Sequence, residues 1–197
     1  HYITWRKELP AKALDEILTD HAEVFTELKE YYKQTSESDT TKISFYEDTY
    51  SLYNLYRFAH YYEEAYGKYI WLKSGASLVI EHTEAMTVID VNTGSVLKKK
   101  KQEDTLFYQI NREAAKEIAR QLRLRNISGI IMIDFINMKD TAQKEKLLSL
   151  LDSECKKDRV HCNVIDMTAL NLVEMTRSKV RKPLHEQIRS CMKNNRS

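Results

Sequence analysis

Between Met86 and Ile136 the chain passes twice through a short apolar, β-branched stretch that holds one acidic residue. The two stretches are Val88-Ile89-Asp90-Val91-Asn92-Thr93-Gly94 and Gly129-Ile130-Ile131-Met132-Ile133-Asp134-Phe135-Ile136. Such runs read as buried strands. Between them Asn111 to Arg125 reads as a helix. Asn111 is the expected N-cap, Ala114, Ala115, Ile118, Ala119 and Leu122 form its apolar face, and Arg112, Lys116, Arg120 and Arg123 lie on the other. Strand, helix and strand in this order predict a mixed α/β domain from about residue 70 onward.

A lone carboxylate inside a buried strand is costly unless something pairs with it. An arginine or a loop cap is one partner and a metal ion is another. Two strands that each present one Asp can converge on a single Mg²⁺, which prefers one or two carboxylates and leaves its other positions to water and phosphate oxygens. On that reading Asp90 and Asp134 outline a metal-dependent phosphodiesterase.

The rest of the chain supplies the frame. Leu9 to Tyr32 reads as a helix that starts near Pro10, Lys42 to Tyr46 as a short strand, and Leu52 to Tyr66 as a tyrosine-rich helix that Gly67 stops. Ile70 to Leu72, Ser77 to Glu81 and Met86 to Val91 read as strands, and Gly94 to Asp104 as a polar loop. Asp140 and Gln143 have capping-box spacing for a helix reaching about Lys157, and Val160 to Met167 reads as a further strand. There is no internal repeat and no low-complexity segment.

Hydrophobic residues make up 42% of the 197, enough for a core, and no apolar run is long enough to span a membrane. No secretory signal is visible, and the chain begins with His1 rather than Met, as either an engineered piece or an excised part of a longer protein would. Three cysteines (Cys155, Cys162, Cys191) without paired-motif spacing suit a reducing cytoplasm better than a disulfide framework. Cys155, His161 and Cys162 as metal ligands compete with the plainer reading of small packed side chains. The net charge of +2 hides an acidic excess from Glu8 to Glu64 and a basic excess from Lys98 onward. The run Lys98, Lys99, Lys100 and Lys101 and the cluster Arg177, Lys179, Arg181 and Lys182 favour a polyanionic partner, since each cation can displace a counterion from nucleic acid. A solvated basic loop is the competing account of the lysines, and an Asp or Glu partner inside the fold is the competing account of Arg112 and Arg177.

Several stretches together resemble the ribonuclease E/G family. They are Trp71-Leu72-Lys73-Ser74-Gly75, Thr83 to Asn92, Asn111-Arg112-Glu113-Ala114-Ala115, Glu117 to Arg125, Ile127 to Ile136 and Leu172 to Arg177. They lie in register over residues 68 to 189, and a weaker likeness covers Lys42 to Tyr69. The resemblance implies an α/β fold with a mixed sheet and flanking helices. It divides the chain into a partial ribonuclease-H-like subdomain (1–69), a deoxyribonuclease-I-like catalytic subdomain (70–190) and a polar tail (191–197). It implies a cytoplasmic endoribonuclease of RNA processing and decay that cuts single-stranded RNA and leaves 5′-phosphate and 3′-hydroxyl ends. Asp90 and Asp134 match the carboxylates that hold catalytic Mg²⁺, and Asn92 matches the asparagine that orients the first of them. Lys98 to Lys101, Arg112 and Arg177 are the expected RNA contacts bordering that cleft.

The chain departs from the family pattern in three respects. The family's OB-type RNA-binding domain and 5′-end sensor are not visible in this sequence. The Cys-Pro-x-Cys zinc link is reduced to Cys191 alone, so any homodimer is expected to form without zinc, through apolar contacts such as those of the tyrosine-rich helix. The loop after Gly94 carries lysine where arginine and glycine are usual, which keeps charge but loses bidentate phosphate geometry. Two other functions fit the same residues: a module that binds RNA or a protein without cutting, and a phosphodiesterase acting on DNA or a small nucleotide.

Overall fold

A computed structural model describes residues 15–35, 41–58, 60, 65–94 and 103–187. It divides into two compact units, His1–Tyr62 and Glu63–Ser197. The first contains β1 (Glu16–Thr19), α1 (Ala22–Thr35), β2 (Lys42–Phe45) and the single-turn α2 (Leu52–Leu55). Strands β1 and β2 pair in parallel, with Ile17 opposite Ile43. Phe25 of α1 packs its ring 5.3 Å from that of Phe45.

Two expectations change in this unit. Ile17 and Leu18 belong to a strand rather than to a helix running from Leu9, because their backbone groups bond to β2. Helix α1 starts only after the turn at Asp20–His21, where the His21 N–H donates to Thr19 Oγ1 at 3.2 Å. The tyrosine-rich helix is interrupted: its first turn, Leu52–Leu55, is capped by Ser51, Arg57 is left-handed with a φ of 50°, and Phe58, His60, Ala65 and Tyr66 are helical again.

The second unit is built on one sheet. After β3 (Tyr69–Trp71), β4 (Ser77–His82) and β5 (Met86–Asn92) comes α3 (Glu103–Leu124). Then follow β6 (Gly129–Asp134), α4 (Thr141–Cys155), β7 (Cys162–Met167) and β8 (Leu172–Arg177). The strand order is β3-β4-β5-β6-β8-β7, and β5–β6 is the parallel pair in an otherwise antiparallel sheet. Successive side chains of a strand face opposite ways. Leu78, Ile80, Ile89, Val91, Ile131, Ile133, Val173 and Met175 therefore share one face. They form a single apolar cluster with Ile110, Ala114, Ile118 and Leu122 of α3 and Leu147, Leu151 and Cys155 of α4. Both helices thus cover the same face, and each fully buried Leu or Ile contributes roughly 1.5–3 kcal/mol. Val79, Val88, Asp90, Met132, Asp134 and Glu174 alternate with these residues and face the other way.

The mixed α/β fold agrees with the sequence reading, with three local differences. Helix α3 begins at Glu103, so Asn111 lies inside it and is not its N-cap. Asp140 does cap α4, accepting from the Ala142 N–H at 2.9 Å, but Gln143 Oε1 has no partner and the capping box is half made. Strand β8 was not anticipated, and it inserts between β6 and β7. Its alternation of buried Val173, Met175 and Arg177 with half-buried Leu172, Glu174 and Thr176 is the period-two signal that marks it.

Candidate metal centre

Register places the two aspartates. In the parallel pair, Asp90 of β5 lies directly opposite Asp134 of β6. Neighbouring strands are about 4.8 Å apart, so laterally paired residues present their side chains side by side on the same face. Beyond Asp90 lies Val79 of β4, and beyond Asp134 lies Leu172 of β8. The row across the sheet thus reads Val79, Asp90, Asp134, Leu172: two carboxylates between two apolar side chains, away from the helical layer. Neither carboxylate joins an ion pair among the described residues.

Asn92 follows two residues after Asp90, hence on the same face, and its Nδ2 donates to Asp90 Oδ2 at 2.7 Å. That bond fixes the carboxylate and leaves Oδ1 for another partner. Partial burial, and then the negative charge of Asp90, holds the Asp134 carboxyl above its ordinary range. Two adjacent anions without a cation between them are what a divalent ion would relieve. Among the described residues no group of three or more His, Cys, Asp or Glu forms a candidate metal cluster. Asp90 and Asp134 offer two carboxylates, a donor set compatible with Mg²⁺, which binds through one or two carboxylates and leaves its other positions to water and phosphate oxygens.

The ends of these strands are held from α3. Asn111 is fully buried on the apolar stripe of the helix, between Ile110 and Ala114. Its Nδ2 donates to the Ile136 carbonyl at 2.7 Å and its Oδ1 accepts from the Ile136 N–H at 3.0 Å, two residues beyond Asp134. Glu113 accepts from the Lys73 N–H at 2.7 Å and the Ser74 N–H at 3.3 Å. The turn so held brings the Gly75 carbonyl against Gly94, two residues after Asn92. A Cβ on Gly94 would lie 2.7 Å from that oxygen, and its φ of 56° also favours glycine. The sequence reading did not assign these roles. A polar residue in the middle of an apolar helical stripe was the available signal for Asn111.

The expected RNA contacts separate. Lys98, Lys99, Lys100 and Lys101 lie outside the described residues, as does Cys191. Arg112 is exposed next to Asn111 on α3, its guanidinium carbon 5.7 Å from the centre of the Tyr108 ring on the same helix. Arg177 lies opposite Gly129, at the far end of β6 from Asp134. Its buried guanidinium pairs with Asp158 at 2.9 Å and donates to Asn126 Oδ1 and the Ile127 carbonyl, both at 2.9 Å. Arg177 therefore takes the structural role that was its alternative, and its guanidinium does not line the cleft with the aspartates. Lys116, Arg120 and Arg123 line a separate cleft of about 440 Å³ with Trp71 and Lys73. There Arg120 is bound to Glu117, and Arg123 donates to the Glu154 carbonyl.

Comparison with known proteins gives the same direction over nearly the whole chain. The model of the ribonuclease E/G family matches residues 2–180. Ribonuclease G of Escherichia coli K12 is 38% identical over 171 residues, covering 87% of this chain and 35% of that protein. Ribonuclease G of Haemophilus influenzae is 39% identical over the same length, with the same shares covered. Ribonuclease E of Nostoc sp. is 34% identical over 176 residues, covering 88% of this chain and 26% of that protein. The chain thus spans about a third or less of the length of these relatives. Among the described residues no helix is long and apolar enough to cross a membrane.

Proposed function

Because the chain belongs to the ribonuclease E/G family, we propose that it is the catalytic portion of a Mg²⁺-dependent endoribonuclease that hydrolyses phosphodiester bonds in single-stranded RNA. The observation that carries this reading is the lateral pairing of Asp90 with Asp134, with Asn92 bonded to Asp90. Asp90 and Asp134 hold the ion. Asn92 keeps Asp90 in one orientation, so that little motion of the carboxylate accompanies binding. When bound there, Mg²⁺ neutralises charge developing on the phosphoryl oxygens. Val79 and Leu172 flank the pair across the sheet. The ends left are a 5′-phosphate and a 3′-hydroxyl, and no ribose 2′-hydroxyl acts as nucleophile. The setting is the cytoplasm, with Arg112 and the Lys98–Lys101 run meeting RNA phosphates. Any homodimer forms without a zinc link through Cys191.

The test is cleavage of a 5′-labelled single-stranded RNA, with Mg²⁺ and with chelator, followed by identification of the ends. Competition by DNA and by mononucleotides fixes the substrate class. Cleavage should require Mg²⁺, and Asp90→Asn or Asp134→Asn should abolish it while the circular-dichroism spectrum is kept. Cleavage that persists in chelator, or in either variant, refutes the proposal. RNA binding by the wild-type chain without Mg²⁺-dependent cleavage assigns it to the non-cutting module instead.

A further inference from the structure

Asn111 is an anomaly in its setting. It occupies an interior position of a helix, where asparagine is a poor choice, and it is fully buried among alanine and isoleucine. A buried amide must be bonded at both ends, and this one spends both ends on the same backbone unit, the N–H and C=O of Ile136. The side chain thus acts as a short piece of neighbouring strand for the segment that leaves β6. Glu113, two residues further along α3, does the corresponding service for the other strand. Its two carboxylate oxygens take the N–H groups of Lys73 and Ser74, and the turn they hold abuts Gly94 just past Asn92.

Helix α3 is also the connection between β5 and β6. One element therefore joins the two strands in sequence and clamps the exit of each in space. We infer that Asn111 and Glu113 are positioning residues that set the separation of Asp90 and Asp134, and so the affinity of the pair for a divalent cation. The inference rests on reading that pair as the metal-holding site. Neither residue touches the ion. Each acts through backbone, Asn111 on the segment after Asp134 and Glu113 on the turn against the segment after Asn92.

Mn²⁺ provides the probe, since its binding to the whole chain is read by electron paramagnetic resonance with no need for RNA or turnover. Asn111→Leu keeps the volume and removes both bonds, and Glu113→Ala releases the turn. Each should weaken Mn²⁺ binding by about tenfold or more, the usual effect of losing a partner outside the ligand set. Glu113→Gln retains an acceptor for the Lys73 N–H and should recover most of the affinity. Leu151→Ala, in the core of α4, should lower the unfolding temperature and leave Mn²⁺ affinity at the wild-type value. If Asn111→Leu does not fold, Asn111→Asp, which keeps the acceptor for the Ile136 N–H and loses the donor, takes its place. Wild-type affinity in the Asn111 and Glu113 variants, with binding lost in Asp90→Asn, overturns this inference and leaves the metal site standing. The same holds if Leu151→Ala weakens binding as much as they do. Wild-type affinity in Asp90→Asn overturns the metal site itself, and the inference with it.

Discussion

Removing the Arg177 guanidinium should be among the most damaging single changes in the second unit, and the damage should be to stability. The group makes three bonds of 2.9 Å, to Asp158 Oδ2, Asn126 Oδ1 and the Ile127 carbonyl, and the side chains of Arg177 and Asp158 are 3% and 8% exposed. Arg177→Met would strand the Asp158 carboxylate in an apolar environment, which costs about 3–5 kcal/mol for a buried pair broken on one side. That is a large part of the roughly 5–15 kcal/mol that holds a typical domain together. Because the chain has two compact units, a single unfolding free energy is not well defined, and the assay should be resolved by segment. Amide exchange in β6 and β8, whose ends meet at Gly129 and Arg177, should accelerate by about two powers of ten or more, at one power per ~1.4 kcal/mol. Replacing both partners, as in Arg177→Met with Asp158→Leu, should recover most of the loss, since an apolar pair of similar volume is often neutral or better. An Arg177→Met chain with native exchange rates, whose RNA-binding salt slope falls by about one, would refute the reasoning and return Arg177 to the phosphate contacts.

Three further outcomes follow from the site and its surroundings. Asp134→Asn should raise thermal stability only slightly near neutral pH, because local desolvation and then the charge of Asp90 disfavour ionised Asp134, while its exposure to water keeps the effect small. For a carboxyl whose folded pKa is raised, that penalty is absent once pH falls below the unfolded value, so the advantage of the variant should shrink there; an advantage that grows on acidification would contradict it. The His82 ring is stacked 3.8 Å from His185, and burial, then the charges of His185 and Arg125, push its pKa down to about 4. Unfolded His82 takes a proton near 6.5, so its part of the stability should be lost as pH falls from that value toward about 4, and an NMR titration of the ring with a midpoint at 6.5 would disprove the packing. Gly94→Ala should lower the unfolding temperature through the close approach to Gly75, and an unchanged midpoint would show that the turn is free to move.

The paired aspartates were legible in the sequence because two local rules suffice to find them. Apolar alternation marks the strands, and a helix between two strands permits their parallel pairing, which brings Asp90 and Asp134 together once the register is right. Where the reading failed, the deciding partner was distant in sequence. Ile17 and Leu18 have helical spacing, but the β2 backbone claims them. Asn111 looks like a cap until Ile136 is placed beside it. Arg177 looks like one more surface cation until Asp158, Asn126 and Ile127 close around it. In each case a polar or backbone group is satisfied by an element that local sequence does not reveal.

The single parallel pairing in the sheet also orders events in time. Strands β4 and β5 are joined by a tight turn and can zip as soon as both are synthesised, because little chain entropy opposes closing so short a loop. Asp90 and Asp134 are partners across the β5–β6 pair and stand 44 residues apart, counting from 90 to 134. A pairing so distant along the chain carries the larger closure cost and slows folding. On the ribosome, then, Asp90 emerges into a hairpin that is already complete and still inert, and remains so until α3 and β6 have followed it out.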